Sequence, residues 1–124
     1  MKIFALSAAL LAVALPAFAG ESWDAIREQL FETRPLKDGS EVIAIDAPYR
    51  TPDDGRTDLA AQVVAPKGLS IGQVTLVLDE NPMPVSAVFD LNTPLSSFYF
   101  DVTMRVNGPT PVHVIAETTD GQLW

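Results

Sequence analysis

Six short runs rich in β-branched and aromatic residues dominate the chain after residue 41. The runs start 11 to 17 residues apart, and turn-forming Gly, Pro, Asn or Asp residues lie between them. Because no intervening segment is long enough for a crossover helix, the pattern predicts an all-β sandwich or barrel. The runs are Val42 to Ala47, Leu59 to Val64, Val74 to Leu78, Val85 to Phe89, Phe98 to Val106 and Val112 to Thr118.

Alternation in the last two runs predicts which of their faces is buried. The apolar faces consist of Phe98, Phe100, Val102 and Met104 in the fifth run and of Val112, Val114 and Ala116 in the sixth. One apolar face and one solvent-exposed face are typical of antiparallel strands. Asn107-Gly108-Pro109 between the two runs is a turn signal. We therefore expect these runs to form a hairpin, with His113 facing outward.

A single short helix is expected before the β-rich region. Trp23, Ile26 and Leu30 are spaced three and four residues apart, which is the spacing of one helix face. Ser22 is the expected N-cap. The helix should end before Pro35, because the residue before a proline avoids helical backbone angles. We expect Trp23 and Phe31 to anchor the helix to the rest of the domain.

Residues 1–19 have the pattern of a cleavable secretory signal peptide. Lys2 precedes an uncharged apolar run of about 13 residues, and Ala17-Phe18-Ala19 predicts cleavage before Gly20. An apolar run of this length is shorter than the roughly 20 residues of a membrane-spanning helix. The remaining domain, residues 20–124, has 16 acidic and 7 basic residues, a net charge of −9. This charge argues against nucleic acid or an anionic membrane as a partner.

The sequence contains no arrangement that is typical of catalysis or of a metal site. Cysteine is absent, which excludes a disulfide, a thiolate ligand and a thiol nucleophile within these 124 residues. His113 is the only histidine, and no nucleophile elbow, zinc motif or phosphate loop accompanies it. We therefore predict no catalytic, cofactor-binding or metal-binding residues and no enzymatic activity.

The acidic segment from Asp53 to Asp58 invites a calcium interpretation, because hard cations bind clustered carboxylates. The EF-hand template fails, since Val64 stands where the twelfth-position glutamate would be required. A solvated acidic turn is the favoured interpretation, and a small-ligand or cation-binding module is kept as an alternative.

The order of several segments resembles the SoxY family of thiosulfate-oxidation carriers, and most closely its quinoprotein dehydrogenase-associated SoxYZ-like branch. The resemblance includes the signal peptide and the Trp-containing helix with Leu30-Phe31. It rests on Val42 to Pro48, Val74 to Pro84, Met104-Arg105-Val106 and Ile115 to Gly121. The matching motif positions, which we expect to be structural, are Asp79, Asn81, Pro82, Pro84, Arg105, Glu117, Asp120 and Gly121.

The resemblance implies an immunoglobulin-like β-sandwich in the periplasm that pairs with a SoxZ-like sandwich and is visited by oxidation enzymes. In the sulfur carriers, a C-terminal arm with a glycine-flanked cysteine follows the last strand. Here the sequence reaches Trp124 where that strand would begin, so no carrier cysteine can be assigned. We therefore expect a domain that is one strand short at its C-terminal end.

A non-enzymatic docking domain of sulfur (thiosulfate) or quinoprotein dehydrogenase-linked oxidation is the function that the sequence favours. A missing last strand would leave the strand from His113 to Thr118 as an edge for a partner. The alternative is the N-terminal fragment of a full SoxYZ-like sulfur carrier.

Overall fold

The computed structural model describes residues 19–124, so the predicted signal peptide lies outside the described residues apart from Ala19. Residues 19–124 form one helix and six strands. They are α1 (Ala19–Phe31), β1 (Ile43–Asp46), β2 (Thr57–Val64), β3 (Ile71–Leu78), β4 (Val85–Leu95), β5 (Ser97–Met104) and β6 (Val112–Thr118). Among the described residues, no helix combines the length and the apolar character needed to cross a bilayer.

The strands form two three-stranded sheets that pack face to face. One sheet has the order β1-β2-β5 and the other β4-β3-β6, and every strand pair is antiparallel. The Phe89 ring of β4 lies 5.3 Å from Phe98 and 5.0 Å from Phe100 of β5, measured between centroids, so these strands face each other. The predicted all-β sandwich with one N-terminal helix is confirmed.

The main core lies between the two sheets. Its most deeply buried side chains point inward from the central strands β2 and β3 and from the strands beside them. They include Leu59, Ala61 and Val63 of β2, Val74, Leu76 and Leu78 of β3, Phe100 of β5 and Ala116 of β6. The alternation predicted for the fifth run is confirmed, since residues 98, 100, 102 and 104 are more buried than their neighbours.

The predicted hairpin of the fifth and sixth runs is wrong. β5 pairs with β2 along its whole length, from Ser97 opposite Val64 to Met104 opposite Thr57. β6 pairs with β3 in the other sheet. The connection from 105 to 111 therefore crosses from one sheet to the other, with Gly108 at φ 75°. Turn residues mark where a strand ends, but strand pairing depends on how both sheets bury their inner faces.

The prediction that the outward face of β6 is exposed to solvent is also wrong at the centre of the strand. Ile115 is 4% exposed and packs with Val77, Phe31 and Leu123 in a second apolar cluster. The helix and the C-terminal residues thus cover the outer face of β6. Phe31 is 7% exposed, so its predicted role as an anchor is confirmed. The helix begins at Ala19 rather than at a Ser22 N-cap, which leaves Ser22 inside its second turn.

The C-terminal residues return along β6 after a tight turn. Gly121 adopts φ 85°, which glycine reaches without steric cost. The Trp124 N–H donates to Ala116 O at 2.8 Å, and the Ala116 N–H donates to Trp124 O at 3.1 Å. Leu123 forms a second bridge, parallel, to Leu36. Two residues therefore begin a further strand beside the C-terminal half of β6.

Candidate functional site

The eight motif positions form two groups at different places in the sandwich. The first group, at the β3–β4 turn, contains Asp79, Asn81, Pro82 and Pro84 together with Arg105. The second, at the turn after β6, contains Glu117, Asp120 and Gly121.

Asn81 ties the β3–β4 turn to the connection between the sheets. Its side-chain N–H donates to Arg105 O at 2.9 Å, and its side-chain oxygen accepts from the Asn107 N–H at 2.8 Å. Both ends of the Asn81 side-chain amide are therefore bonded to another loop. Pro84 contributes a carbonyl that accepts from the Leu78 N–H at 2.8 Å.

Arg105 and Pro82 lie at the margins of this first group. The Arg105 guanidinium lies against Gly55, where an added Cβ would stand 3.5 Å from one of its nitrogens. Pro82 follows Asn81 in the bend that separates β3 from β4. Arg105 belongs to no ion pair among the described residues.

A buried aspartate, a histidine and a tryptophan form a cluster that the sequence did not reveal. The Asp79 side chain is 0% exposed, and its Oδ1 lies 2.9 Å from His113 Nδ1. The Trp23 ring stacks on His113 with centroids 3.8 Å apart and an interplanar angle of 9°. The second carboxylate oxygen of Asp79 is buried and has no hydrogen-bond partner among the described residues.

This cluster fixes the helix to the sheet through the stacked rings of Trp23 and His113. His113 does face outward from β6, as predicted, but its ring is only 32% exposed because Trp23 covers it. None of the three residues lines the cavities of about 340, 530 and 970 Å³ that the described residues enclose. The sequence contained one indication of this contact. The apolar face of the predicted helix had to pack against the outward face of a strand.

The second group stabilises the return of the chain after β6. Arg34 lies 3.1 Å from the Glu117 carboxylate and donates to Gly121 O at 2.9 Å. The Trp124 indole N–H donates to Thr118 Oγ1 at 3.0 Å, and the Thr118 hydroxyl donates to Asp120 Oδ1 at 2.6 Å.

The turn also shifts the titration of Asp120. The Thr118 hydroxyl, and after it the Gln122 backbone N–H, hold the pKa of the Asp120 carboxyl below its ordinary value. The cause is that both hydrogen bonds favour the ionised form. The Asp120 carboxylate therefore helps to hold the turn that returns the chain to β6.

Two carboxylate oxygens of the acidic segment Asp53 to Asp58 accept hydrogen bonds within the protein. Asp53 Oδ1 accepts from the Gly55 N–H at 2.9 Å, and Asp58 Oδ1 accepts from the Thr103 hydroxyl at 2.7 Å. Within residues 19–124, no three His, Asp or Glu side chains are grouped so that they could hold a metal ion. Asp53 thus holds the turn, whereas Asp58 of β2 bonds to Thr103 of the neighbouring strand β5.

The expected interaction edge, His113 to Thr118, is shorter than the sequence indicated. Leu123 and Trp124 already pair with the residues from Ala116 to Thr118. No other described strand pairs with the outer side of the first half of β6, Val112 to Ile115. We call this four-residue segment the open edge of β6.

A cavity of about 340 Å³ lies at the end of the open edge. Its walls come from the loop after β1 and from the connection between β5 and β6. They include Ala47, Pro48, Tyr49, Val106, Pro109 and Val112. The Tyr49 side chain is 95% exposed at its rim. The lining also includes Arg50, Asp54 and three threonines, Thr51, Thr57 and Thr110, so it combines apolar with polar and charged side chains.

Comparisons with known proteins agree with this architecture. The model of the family described as sulfur oxidation protein SoxY matches residues 27–124. A solved structure of the sulfur carrier protein SoxY from Chlorobium limicola f thiosulfatophilum matches with a TM-score of 0.69 and 19% identity. The match covers 84% of this chain and 89% of that chain. None of the curated proteins compared with the chain matches it.

At 19% identity, this structural match establishes the fold, an immunoglobulin-like β-sandwich. The fold class expected from the resemblance is therefore confirmed, and the match to the family model confirms the resemblance itself.

Proposed function

Because the chain belongs to the SoxY family of sulfur oxidation proteins, we propose that it is a non-enzymatic docking domain of a sulfur-oxidation system. The observation that carries this proposal is a SoxY-type sandwich whose 124 residues contain no cysteine. These residues offer surfaces to partner proteins but no thiol on which sulfur could be carried. The described histidine supports a non-catalytic role, since its Nδ1 is bonded to buried Asp79 and Trp23 covers its ring.

The partners that we propose are a SoxZ-like sandwich and the enzymes of thiosulfate or quinoprotein dehydrogenase-linked oxidation. The family match supports the sulfur pathway. The quinoprotein link rests on the sequence resemblance alone. Location in the periplasm rests on the predicted signal peptide, residues 1–19.

Binding to a purified SoxZ protein tests the proposal. We expect a stable complex in titration calorimetry and size-exclusion chromatography, with an interface of about 1,200–2,000 Å² in total, the size of a specific complex. A matched control is an unrelated immunoglobulin-like domain of similar negative charge, which should not bind. Absence of a complex at about 100 μM, well above the micromolar affinities of specific pairs, would overturn the docking role. Oxidation of thiosulfate by the isolated chain would overturn the non-enzymatic one.

A further inference from the structure

We propose that the outer face of the sheet β1-β2-β5 docks a partner protein, which places an arginine side chain in a groove on this face. The inference rests on the proposed docking function and assigns the surface and the chemistry that it uses. It is carried by the exposure of this face, by three carboxylates that line the groove and by an exposed tyrosine beside them.

The strand register brings five side chains together on this face. The core residues of β2 stand at positions 59, 61 and 63, so Asp58 and Ala60 point outward. Asp46 of β1 and Asp101 of β5 stand directly opposite Ala60. Tyr99 precedes Asp101 by two residues on β5, so both side chains point the same way. Because opposed residues share a face, the three strands contribute these side chains to one surface.

The two sheets differ in what covers their outer faces. On the second sheet, Phe31 of the helix and Leu123 pack with Ile115 and bury the outward face of β6. On the first sheet, the outward strand residues are exposed apart from Ala60. Tyr99 is 60% exposed there. Among the described residues, the helix and the C-terminal segment thus cover one sheet and leave the other accessible to a partner.

A groove of about 530 Å³ lies between this face and the loop that joins β1 to β2. One wall consists of the five strand residues, and the loop contributes Pro48, Thr51, Pro52 and Arg56. Ala60 stands between Asp46 and Asp101, and its single methyl group leaves space between their carboxylates. The groove therefore has a small, uncharged floor with acidic side chains on both sides.

The local charge of the groove selects a cationic occupant. The carboxylates of Asp46, Asp58 and Asp101 line it together with one guanidinium, that of Arg56. None of these four residues belongs to an ion pair within residues 19–124. Since neighbouring strands lie about 4.8 Å apart, Asp46 and Asp101 stand about 10 Å from each other across β2. This separation is close to the Debye length of about 8 Å at physiological ionic strength, so their potentials add in the groove.

The exposed tyrosine favours arginine over lysine as the occupant. Tyr99 lines the groove beside Asp101 and offers a ring that is accessible to solvent. A guanidinium stacks on aromatic rings and binds carboxylates through two parallel hydrogen bonds, whereas an ammonium is a compact and strongly hydrated charge. We therefore expect the partner's arginine to lie on the Tyr99 ring and to pair with Asp101 or Asp46.

Peptide binding followed by amide chemical shifts tests the occupant. The probe is an eight-residue peptide with two arginines among glycine and serine, and its control has citrulline, which is neutral and similar in shape, in place of arginine. The arginine peptide should shift the Ala60, Tyr99 and Asp101 amides, weaken with added salt and bind about tenfold more tightly than the control. Equal binding of both peptides, or shifts confined to other surfaces, would overturn the proposal. Free arginine that binds as tightly as the peptide would indicate a small-molecule site and would also overturn it.

A matched pair of double variants separates the groove from the net charge of the protein. Asp46→Asn with Asp101→Asn removes two carboxylates from the groove. Asp24→Asn with Asp90→Asn removes two exposed carboxylates from α1 and β4 and changes the net charge by the same amount. We expect the groove variant to bind the arginine peptide about fivefold more weakly than the control variant. Equal affinities would overturn the assignment of the groove.

Unfolding measurements distinguish a docking role of the carboxylates from a structural one. Because Asp46 and Asp101 carry like charges, their replacement by asparagine should leave the urea midpoint unchanged or raise it. A lower midpoint would give them a structural role and would overturn the proposal.

The tyrosine has its own matched pair of variants. Tyr99→Leu should bind the arginine peptide about two- to fivefold more weakly than Tyr99→Phe, which keeps the ring. Equal affinities would overturn the stacking of arginine on this residue. The SoxZ titration tests the docking function separately, so a SoxZ complex without peptide binding would uphold that function and overturn the assignment of this face.

Discussion

Replacement of Leu123 by alanine tests whether the C-terminal residues are packed on β6 as the structure shows. Leu123 is 1% exposed and lies among Phe31, Val77 and Ile115, where the helix, the sheet and the C-terminal segment meet. Its backbone also bridges Leu36 and Glu117. The side chain therefore connects the last residues of the chain to the outer face of the second sheet.

The cost of the substitution follows from this burial. Leu-to-Ala changes in buried sites destabilise proteins by about 2–5 kcal/mol, and sites that can collapse fall in the lower part of that range. Trp23, Ile26 and Leu30 of the helix are only partly buried around this cluster, so they have freedom to close part of the space. We expect a loss of about 2–3 kcal/mol, out of a total stability of about 5–15 kcal/mol for a domain.

Urea unfolding followed by tryptophan fluorescence measures this loss. The chain has two tryptophans: Trp23 packs against the cluster that Leu123 completes, and Trp124, the next residue after Leu123, packs against the main core. With a typical slope of about 1–3 kcal/mol/M, the urea midpoint should fall by about 1 M. Val64→Ala is the matched control, because Val64 is 47% exposed, and it should change stability by less than about 0.5 kcal/mol.

A small effect would refute the reasoning. If Leu123→Ala unfolds within about 0.5 kcal/mol of the unmodified protein, the C-terminal segment does not occupy the edge beside Ala116. The open edge of β6 would then extend to Thr118.

Three further predictions concern the hydrogen bonds of the motif groups. Asn81→Ala should cost about 1–3 kcal/mol in urea unfolding, because two hydrogen bonds of about 0.5–1.5 kcal/mol each are lost; an unchanged midpoint would show that the β3–β4 turn is held by other contacts. His113→Ala leaves the buried Asp79 carboxylate without its partner and should cost about 1–3 kcal/mol, whereas a neutral result would contradict the burial of that carboxylate. The lowered pKa of Asp120 contributes stability at pH values above the ordinary carboxyl range. This contribution is lost as the pH falls through the lowered pKa, so the difference in stability between the unmodified protein and Asp120→Asn should shrink in acid. A difference independent of pH would exclude this contribution.

Local signals in the sequence were sufficient for the position of most elements. The sixth run coincides with β6, and the Asp79 to Pro84 segment is the turn between β3 and β4. The fourth run was expected to end at Phe89, but β4 continues to Leu95, because Asp90 pairs with Gln73 and Leu95 pairs with Ile71 on the two sides of a register shift that contains Pro94. Proline is accepted there since β4 lies at the sheet edge.

The cluster around His113 shows why the candidate site was harder to predict. Alternation correctly placed His113 outward, and helix periodicity correctly made Trp23 an anchor. Neither pattern predicts that the helix covers β6 or that the Asp79 side chain bonds to the His113 ring. Asp79 was interpreted as a turn residue, yet its side chain is 0% exposed.

The sequence by itself determined the class of fold, the strands and turns, the acidic charge and the absence of a thiol, because these depend on composition and on spacing along the chain. Only the tertiary structure decided that β5 pairs with β2, that helix α1 covers β6 and that Leu123 and Trp124 shorten its free edge. The physical reason is that alternation describes one strand at a time. The choice of neighbour depends on the joint burial of faces contributed by residues far apart in the chain.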